Sequence, residues 1–109
     1  MGRMAVVVVV LGLSLAGCGA ETSVAVQNES DTATKTTVRD STNTLRVDFA
    51  ELAPGARSAF VVVDWPSYSG VNVDASDNHE NGTVTLTEGR KNVVQVWRDG
   101  KEPTVMLEE

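Results

Sequence analysis

The stretch that decides the fold is residues 83–107, TVTLTEGRKNVVQVWRDGKEPTVML. Apolar and polar side chains alternate in 83–87, which is the period of a half-buried β-strand, and 92–98 is a second strand-like run, rich in Val. Glu88-Gly89-Arg90 separates these two runs, and Asp99-Gly100, a dipeptide typical of two-residue hairpins, follows the second. The central run is predicted to divide its side chains between two faces, Val94 and Val96 on one and Val93, Gln95 and Trp97 on the other.

Strand signals of the same kind occur throughout the chain from residue 23 onward. The predicted strands are 23–28, 34–39, 45–49, 57–63, 70–74, 83–87, 92–98 and 104–107. The first two carry few large apolar side chains, and 57–63 is the most hydrophobic. Pro54-Gly55 predicts a tight turn, since Pro fixes one φ and Gly allows a positive one. Short strands with turn signals roughly every ten residues predict an all-β sandwich or small barrel.

Residues 23–109 are predicted to form one small domain. The alternative assigns 23–44, above all its Ser/Thr/Asp-rich part from residue 27, to a linker. That alternative leaves a domain of only about 65 residues, whose core would be marginal without disulfides. We therefore expect the stretch to fold with the rest of the domain.

The N-terminal residues have the order of a secretory signal, in which a positive charge precedes an apolar run and small residues. Arg3 supplies the charge and residues 5–13 the apolar run. The uncharged stretch 4–18 is shorter than the roughly 20 residues that a membrane-spanning helix needs. A cleaved export signal is therefore favoured over a permanent transmembrane anchor.

The tetrapeptide Leu15-Ala16-Gly17-Cys18, which follows the apolar run, resembles the lipobox of bacterial lipoproteins. The resemblance implies cleavage between Gly17 and Cys18 and attachment of lipid, including acyl chains such as palmitate, to Cys18. It implies a signal peptide at 1–17, a lipidated tether at 18–22 and a membrane as partner. The alternative is an ordinary signal with a chance cysteine near its cleavage site.

Cys18 is the only cysteine, so the chain cannot form an intrachain disulfide. The residue after it is Gly19 rather than Asp. By resemblance to the sorting of lipoproteins in bacteria with two membranes, Gly19 implies the outer membrane. In a bacterium with one membrane, the location implied is the outer face of the cytoplasmic membrane.

The chain is acidic, with 9 Lys and Arg against 15 Asp and Glu. Loss of Arg3 with the signal leaves eight basic side chains and a net charge near −7. Nucleic-acid binding requires a basic surface, so no nucleic-acid partner is expected.

A second resemblance depends on four short sequence segments. They are Asn28-Glu29-Ser30 after an early strand, Leu52-Ala53-Pro54-Gly55, Ser58-Ala59-Phe60-Val61-Val62 and Leu86-Thr87-Glu88-Gly89. Together they resemble the small immunoglobulin-like domains of many uncharacterised bacterial lipoproteins. The resemblance implies an Ig-like antiparallel β-sandwich and no chemistry. The chain departs from the common pattern at residues 65–68, where a Gly-Thr-Tyr type of turn is typical.

Groups that could carry catalysis are few. His79 is the only histidine, and no serine is framed by glycines as in a nucleophile elbow. The chain contains no phosphate-binding loop and no zinc-ligand spacing of Cys and His. We predict that the protein is not an enzyme and needs no cofactor.

The loop 74–82 nearly matches a calcium-binding loop when counted from Asp77. This pattern suggests a divalent-metal site formed by Asp74, Asp77 and Glu80, and with it a small-ligand or metal carrier as the alternative function. The competing interpretation, which we favour, is a polar hairpin loop with Asn81-Gly82 as its turn.

Trp65 and Tyr68 lie where a loop is predicted, so their rings could face solvent and contact a protein or glycan of the cell envelope. The competing interpretation places them in the core, and both stay open. For Trp97 we favour the core. The favoured function is a membrane-anchored, non-catalytic envelope lipoprotein that serves as a structural or partner-binding module.

Overall fold

The computed structural model describes residues 20–76 and 79–108 as an all-β fold. Its strands are β1 (Thr22–Asn28), β2 (Thr34–Arg39), β3 (Arg46–Leu52), β4 (Val61–Val63), β5 (Val71–Ala75), β6 (Gly82–Val84), β7 (Lys91–Val96) and β8 (Thr104–Glu108). Each lies within a predicted strand or overlaps one, but the predicted strand 57–63 is reduced to its last three residues. Within the described residues, no helix is long and apolar enough to cross a membrane.

The strands form two four-stranded sheets that pack face to face as a β-sandwich. One sheet has the order β4-β1-β7-β8 and the other the order β3-β2-β5-β6. Neighbouring strands are antiparallel except β1 and β7, which are parallel and place Val26 beside Val94. A parallel pair joins strands far apart in sequence, so β1 and β7 tie the start of the domain to its end.

The hydrophobic core lies between the sheets. Its buried members are Val24, Val26, Val38, Phe49, Val63, Trp65, Val71, Val73, Val84, Leu86, Val94 and Val96. The prediction that Val94 and Val96 share one face of their strand is therefore confirmed, and that face belongs to the core. Val93 points to the other face of β7 and is also fully buried, with Ala25 of β1 and Met106 of β8 as its neighbours in register.

The stretch 27–44 is part of the folded domain. It contains β2, which pairs with β3 on one side and β5 on the other. Val38, in the middle of β2, is fully buried in the core. A linker would leave these backbone groups and this side chain in water, so the fold needs the stretch.

Two of the predicted turns are present, and a third, at Asn81-Gly82, is not. Gly55 has a φ of 78°, and the Ala56 N–H donates to the Ala53 carbonyl at 3.0 Å, which closes the turn at Pro54-Gly55. Asp99 and Gly100 both have positive φ, as a type I′ turn requires, but residues 97–103 join β7 to β8, so the connection is longer than a two-residue hairpin. Asn81-Gly82 is not a turn, since Gly82 begins β6 and pairs with Val73.

The strand directions give the sandwich two distinct ends. The entry end is where the chain enters at residue 20, and the opposite end is where β1 finishes. The entry end carries the connections 40–45, 64–70 and 87–90, and the opposite end carries 29–33, 53–57, 76–81 and 97–103. The start of β1 therefore lies beside the loops of the entry end and away from the loops of the opposite end.

Asp40 organises the 40–45 connection. Its carboxylate accepts hydrogen bonds from the backbone N–H groups of Leu45 and Thr44, at 3.0 and 2.8 Å, and from the Thr42 hydroxyl at 2.8 Å. The Leu45 bond is the largest cause of a lowered Asp40 pKa, with further lowering from Thr42, Thr44 and Asn43 and some opposition from burial. The charged form of Asp40 is thus favoured in the folded state.

Replacement of Asp40 by Asn is expected to lower the melting temperature at neutral pH and to flatten its dependence on acid. Because the folded-state pKa of Asp40 is below its usual 3.8, its stabilisation is fully present above that value. The stabilisation disappears as the pH falls through the folded-state pKa. Thermal unfolding from pH 7 to pH 2 measures this, with Asp64→Asn at an exposed carboxylate as the control. Equal acid slopes for wild type and Asp40→Asn would contradict the assignment.

Candidate functional site

The lipobox residues, including Gly17 and Cys18, lie outside the described residues, and so does Gly19. The described chain begins at Ala20, and β1 begins at Thr22. The Gly89 N–H donates to the Thr22 hydroxyl at 2.7 Å, and the Ser23 N–H donates to the Arg90 carbonyl at 3.1 Å. The entry point is therefore held against the 87–90 connection.

The side chain of Asn92 holds the 87–90 connection in place by hydrogen bonds. It is fully buried at the start of β7. Its Nδ2 donates to the carbonyls of Ser23, Thr87 and Arg90 at 3.2, 3.1 and 3.0 Å. Its Oδ1 accepts from the Thr87 N–H at 2.7 Å. One amide side chain thus joins the first strand to the turn beside it.

A groove of about 420 Å³ lies at the entry end, on the outer face of the β4-β1-β7-β8 sheet. Ala20 and Phe60 line it, together with one residue from each strand: Val62, Ser23, Lys91 and Glu108. These four occupy one level of the sheet, because Ser23 is paired with both Val62 and Lys91, and Lys91 with Glu108. The groove therefore crosses the whole sheet directly beside the entry point.

The groove combines apolar and charged groups. Val62 is 56% exposed, although it belongs to the most hydrophobic stretch of the sequence. The Lys91 ammonium lies 5.6 Å from the centroid of the Phe60 ring, which is within the range of a cation–π contact. Glu108 accepts a hydrogen bond from Arg57 at 2.8 Å. The apolar part of the groove is therefore bordered by charged groups of both signs, Glu21 among them.

Trp65 belongs to the core, so of the two interpretations left open for it the structure supports the buried one and not the partner contact. The residue is only 8% exposed and lies in the core cluster. Tyr68 is half-buried and packs against the same cluster. The Tyr68 hydroxyl donates to the Val63 carbonyl at 3.3 Å and accepts from the Trp65 N–H at 3.2 Å. The Trp65–Tyr68 segment folds back over the core because two aromatic rings there shield the valines between the sheets.

Trp97 is outside the core cluster, contrary to the interpretation that we favoured. It is half-buried, and its Nε1 donates to the Thr104 hydroxyl at 3.1 Å. The Lys101 ammonium lies 3.6 Å from the centroid of its ring. Trp97 therefore lies at the opposite end of the sandwich, with part of its ring accessible.

The proposed metal ligands Asp74, Asp77 and Glu80 are not brought together by the described part of the chain. Asp74 lies on β5 and forms an ion pair with Arg39 on β2. Asp77 lies outside the described residues. The Glu80 backbone N–H donates to the Trp97 carbonyl at 3.2 Å. No group of three His, Cys, Asp or Glu side chains converges within residues 20–76 and 79–108.

His79 forms a buried contact that the sequence did not predict. Its Nε2 lies 2.6 Å from the Ser30 hydroxyl, and its Nδ1 lies 2.8 Å from the Ser76 carbonyl. Ser30 Oγ also lies 2.7 Å from Asn28 Oδ1 and 2.8 Å from the Thr32 carbonyl. His79 is only 6% exposed. The Ser30 hydroxyl is thus used within a buried network that holds the 29–33 and 76–81 loops together, and we interpret the pair as structural.

Comparison of the chain with protein-family models, with curated proteins and with solved structures found no match. The functional interpretation therefore depends on the residues themselves. The groove and the entry point beside it form the candidate site.

Proposed function

We propose that the protein is a lipid-anchored lipoprotein of a bacterial cell envelope, and that its domain serves as a non-catalytic structural or partner-binding module. Cys18 carries the lipid in this proposal, and residues 1–17 are removed as a signal peptide. By resemblance to lipoprotein sorting, Gly19 supports a position in the outer membrane of a bacterium that has one. In other bacteria the protein lies on the outer face of the cytoplasmic membrane.

The observation that carries the proposal is the position of β1. Its first residue, Thr22, lies four positions after Cys18. An extended chain spans at most about 3.6 Å per residue, so the distance from Cys18 to β1 is no more than about 14 Å. This arrangement suits a folded domain attached by a short tether. One acyl chain anchors a protein only marginally, whereas several chains on one cysteine hold it firmly.

The finer fold assignment is part of the same proposal. We assign the sandwich to the immunoglobulin-like type because it has two packed sheets of short strands and because four segments of the sequence, such as Leu52-Ala53-Pro54-Gly55, resemble that type. In this arrangement the 29–33, 76–81 and 97–103 loops lie at the end away from the lipid. A protein or glycan partner in the envelope would meet these loops first.

Replacement of Cys18 by Ser tests the anchoring. We expect wild-type protein produced in a bacterium to incorporate labelled palmitate and to sediment with membranes. The Cys18→Ser variant is expected to lose nearly all of the label and to become soluble or to keep its signal peptide. Gel fluorography and fractionation measure the two effects, and mass spectrometry of the N-terminal peptide identifies the cleavage site.

Ser14→Ala is the matched control, since it changes the signal region but leaves Leu15-Ala16-Gly17-Cys18 intact. It should be labelled and retained like the wild type. Full lipid labelling and unchanged membrane retention of Cys18→Ser would refute the proposal.

A further inference from the structure

The exposed apolar side chains of the described fold are concentrated at the entry end. Among residues 20–76 and 79–108, the large hydrophobic side chains that are exposed are Leu45, Val61 and Val62. Leu45 lies in the 40–45 connection, and Val61 and Val62 lie on the edge strand β4, whose C-terminal residue pairs with Thr22. Of these three, Val62 lines the groove, where Phe60 and Lys91 also lie beside the entry point. Neighbouring apolar groups exposed on a surface mark a place that contacts something.

The length of chain between Cys18 and the fold determines what this surface can reach. Ala20 lines the groove and lies two residues after Cys18, which corresponds to at most about 7 Å of extended chain. When Cys18 is acylated, its lipid is inserted in the bilayer. The groove then lies within reach of the lipid headgroups, while the loops of the opposite end are separated from them by the length of the strands.

We propose that the face formed by Phe60, Val62 and Lys91 rests on the headgroup layer of the membrane to which Cys18 is anchored. This inference depends on the proposed lipidation and adds an orientation to it. Val62 and the Phe60 ring contact the boundary between headgroups and acyl chains. The aliphatic part of Lys91 packs beside them while its ammonium reaches the lipid phosphates, as lysine does at membrane interfaces.

The charges around the groove favour a zwitterionic surface. Arg90 and Lys91 supply positive charge, and Glu21 supplies negative charge on the same rim. Glu108 is already engaged by Arg57. Such a rim can meet both the phosphate and the ammonium of a zwitterionic headgroup. The tether makes a weak contact sufficient, because it turns docking into an intramolecular step at high effective concentration.

The test uses the full lipidated protein in vesicles of phosphatidylcholine and phosphatidylethanolamine that carry a quencher at the headgroups. Acylation occupies the thiol of Cys18, so one introduced cysteine can be labelled alone with a small fluorophore. Val62→Cys places the label in the groove, and Ala53→Cys places it at an exposed position of the opposite end. We expect the label at position 62 to be quenched several-fold more strongly than the label at position 53.

Each other outcome contradicts the inference in its own way. Equal quenching at the two positions means that the domain turns freely on its tether. A disulfide between two Val62→Cys chains, with no quenching, means that a second copy covers β4. If the chain without an introduced cysteine takes up the label at Cys18 and does not stay with the vesicles, the proposed lipidation fails and the docking with it. Retention of the protein with equal quenching refutes only the docking.

Discussion

Replacement of Trp65 by Ala is expected to destabilise the domain by about 3–5 kcal/mol, the usual effect of removing a buried aromatic side chain. Trp65 is the bulkiest residue of the core and is only 8% exposed. The total free energy of unfolding of a domain of about 90 residues is roughly 5–13 kcal/mol. The loss therefore takes up a large part of the total, and the melting temperature should fall by at least about 12 °C. Thermal and denaturant unfolding measure the change.

Trp97→Ala is the matched control, since it removes the same side chain from a half-exposed position. We expect a clearly smaller loss, because Trp97 contributes the Thr104 hydrogen bond and the Lys101 contact rather than core packing. If Trp65→Ala melts like the wild type, the ring is not part of the core. The prediction also affects binding experiments: loss of a partner in a Trp65→Ala variant would report unfolding and would not identify a contact.

The sequence predicted the strands well because alternation is a local property. In β7 the period of two separates Val94 and Val96 from Val93, and the structure places the two sets on opposite faces. Asp99-Gly100 is equally local, since two consecutive residues with positive φ are rare outside such dipeptides. Features that depend only on neighbouring residues could thus be predicted from one chain.

The importance of β1 was underestimated for a physical reason. Its residues Thr22, Ser23 and Ala25 are small or polar, so the strand has few large apolar side chains. Six of its seven residues are nevertheless buried, five of them in an unbroken run, and β1 lies between β4 and β7 in its sheet. Small side chains suit such a position, and the hydrophobicity of the strand alone does not reveal it.

High hydrophobicity does not indicate a central position in the sheet either. Val61 and Val62 belong to β4, which is at the edge of its sheet and pairs only with β1 within the described fold. The order of strands in a sheet is set by contacts between distant segments, and it decides which apolar strand is inside. The same is true of Ser30 and His79, which are 49 positions apart in sequence and in contact in space.

The candidate site at the entry end depends both on a local sequence pattern and on the pairing of distant strands. The proposal of a lipid on Cys18 comes from its tetrapeptide alone. Phe60, Val62 and Lys91 come from three segments, and only the pairing of β4, β1 and β7 brings them together beside Ala20. The sequence therefore predicts attachment to a membrane, and the strand pairing is what led to the proposal of the face that meets it.

Replacement of Asn92 by Asp is expected to have the second large effect. The change is nearly isosteric, but it puts an oxygen where Nδ2 now donates to the carbonyls of Ser23, Thr87 and Arg90. A buried carboxylate facing carbonyl oxygens has lost its solvation and gained repulsion, so we expect a loss of at least about 3 kcal/mol at pH 7. Asn92→Ala, which removes the bonds but adds no charge, should cost less.

The pH dependence of Asn92→Asp separates electrostatic from steric effects. Burial and the facing carbonyls raise the pKa of the introduced carboxyl above its value in the unfolded chain. The penalty is therefore complete above the raised pKa and shrinks as the pH falls toward the unfolded value of about 4. Denaturant unfolding at pH 7 and pH 4 should show part of the lost stability returning in acid, relative to wild type at the same pH.

Asn81→Asp provides the control for this series. Asn81 is exposed, and its Oδ1 accepts from the Ala75 N–H at 2.8 Å, a bond that a carboxylate also forms. Its stability should stay within about 0.5 kcal/mol of the wild type, as for most surface changes. Because Asn92 joins β1 to the 87–90 connection, its loss should also loosen the entry point, which amide hydrogen exchange at Gly89 and Ser23 can detect. Unchanged exchange there, together with a fall in stability, would place the role of Asn92 in the core of the sheet and not at the entry end.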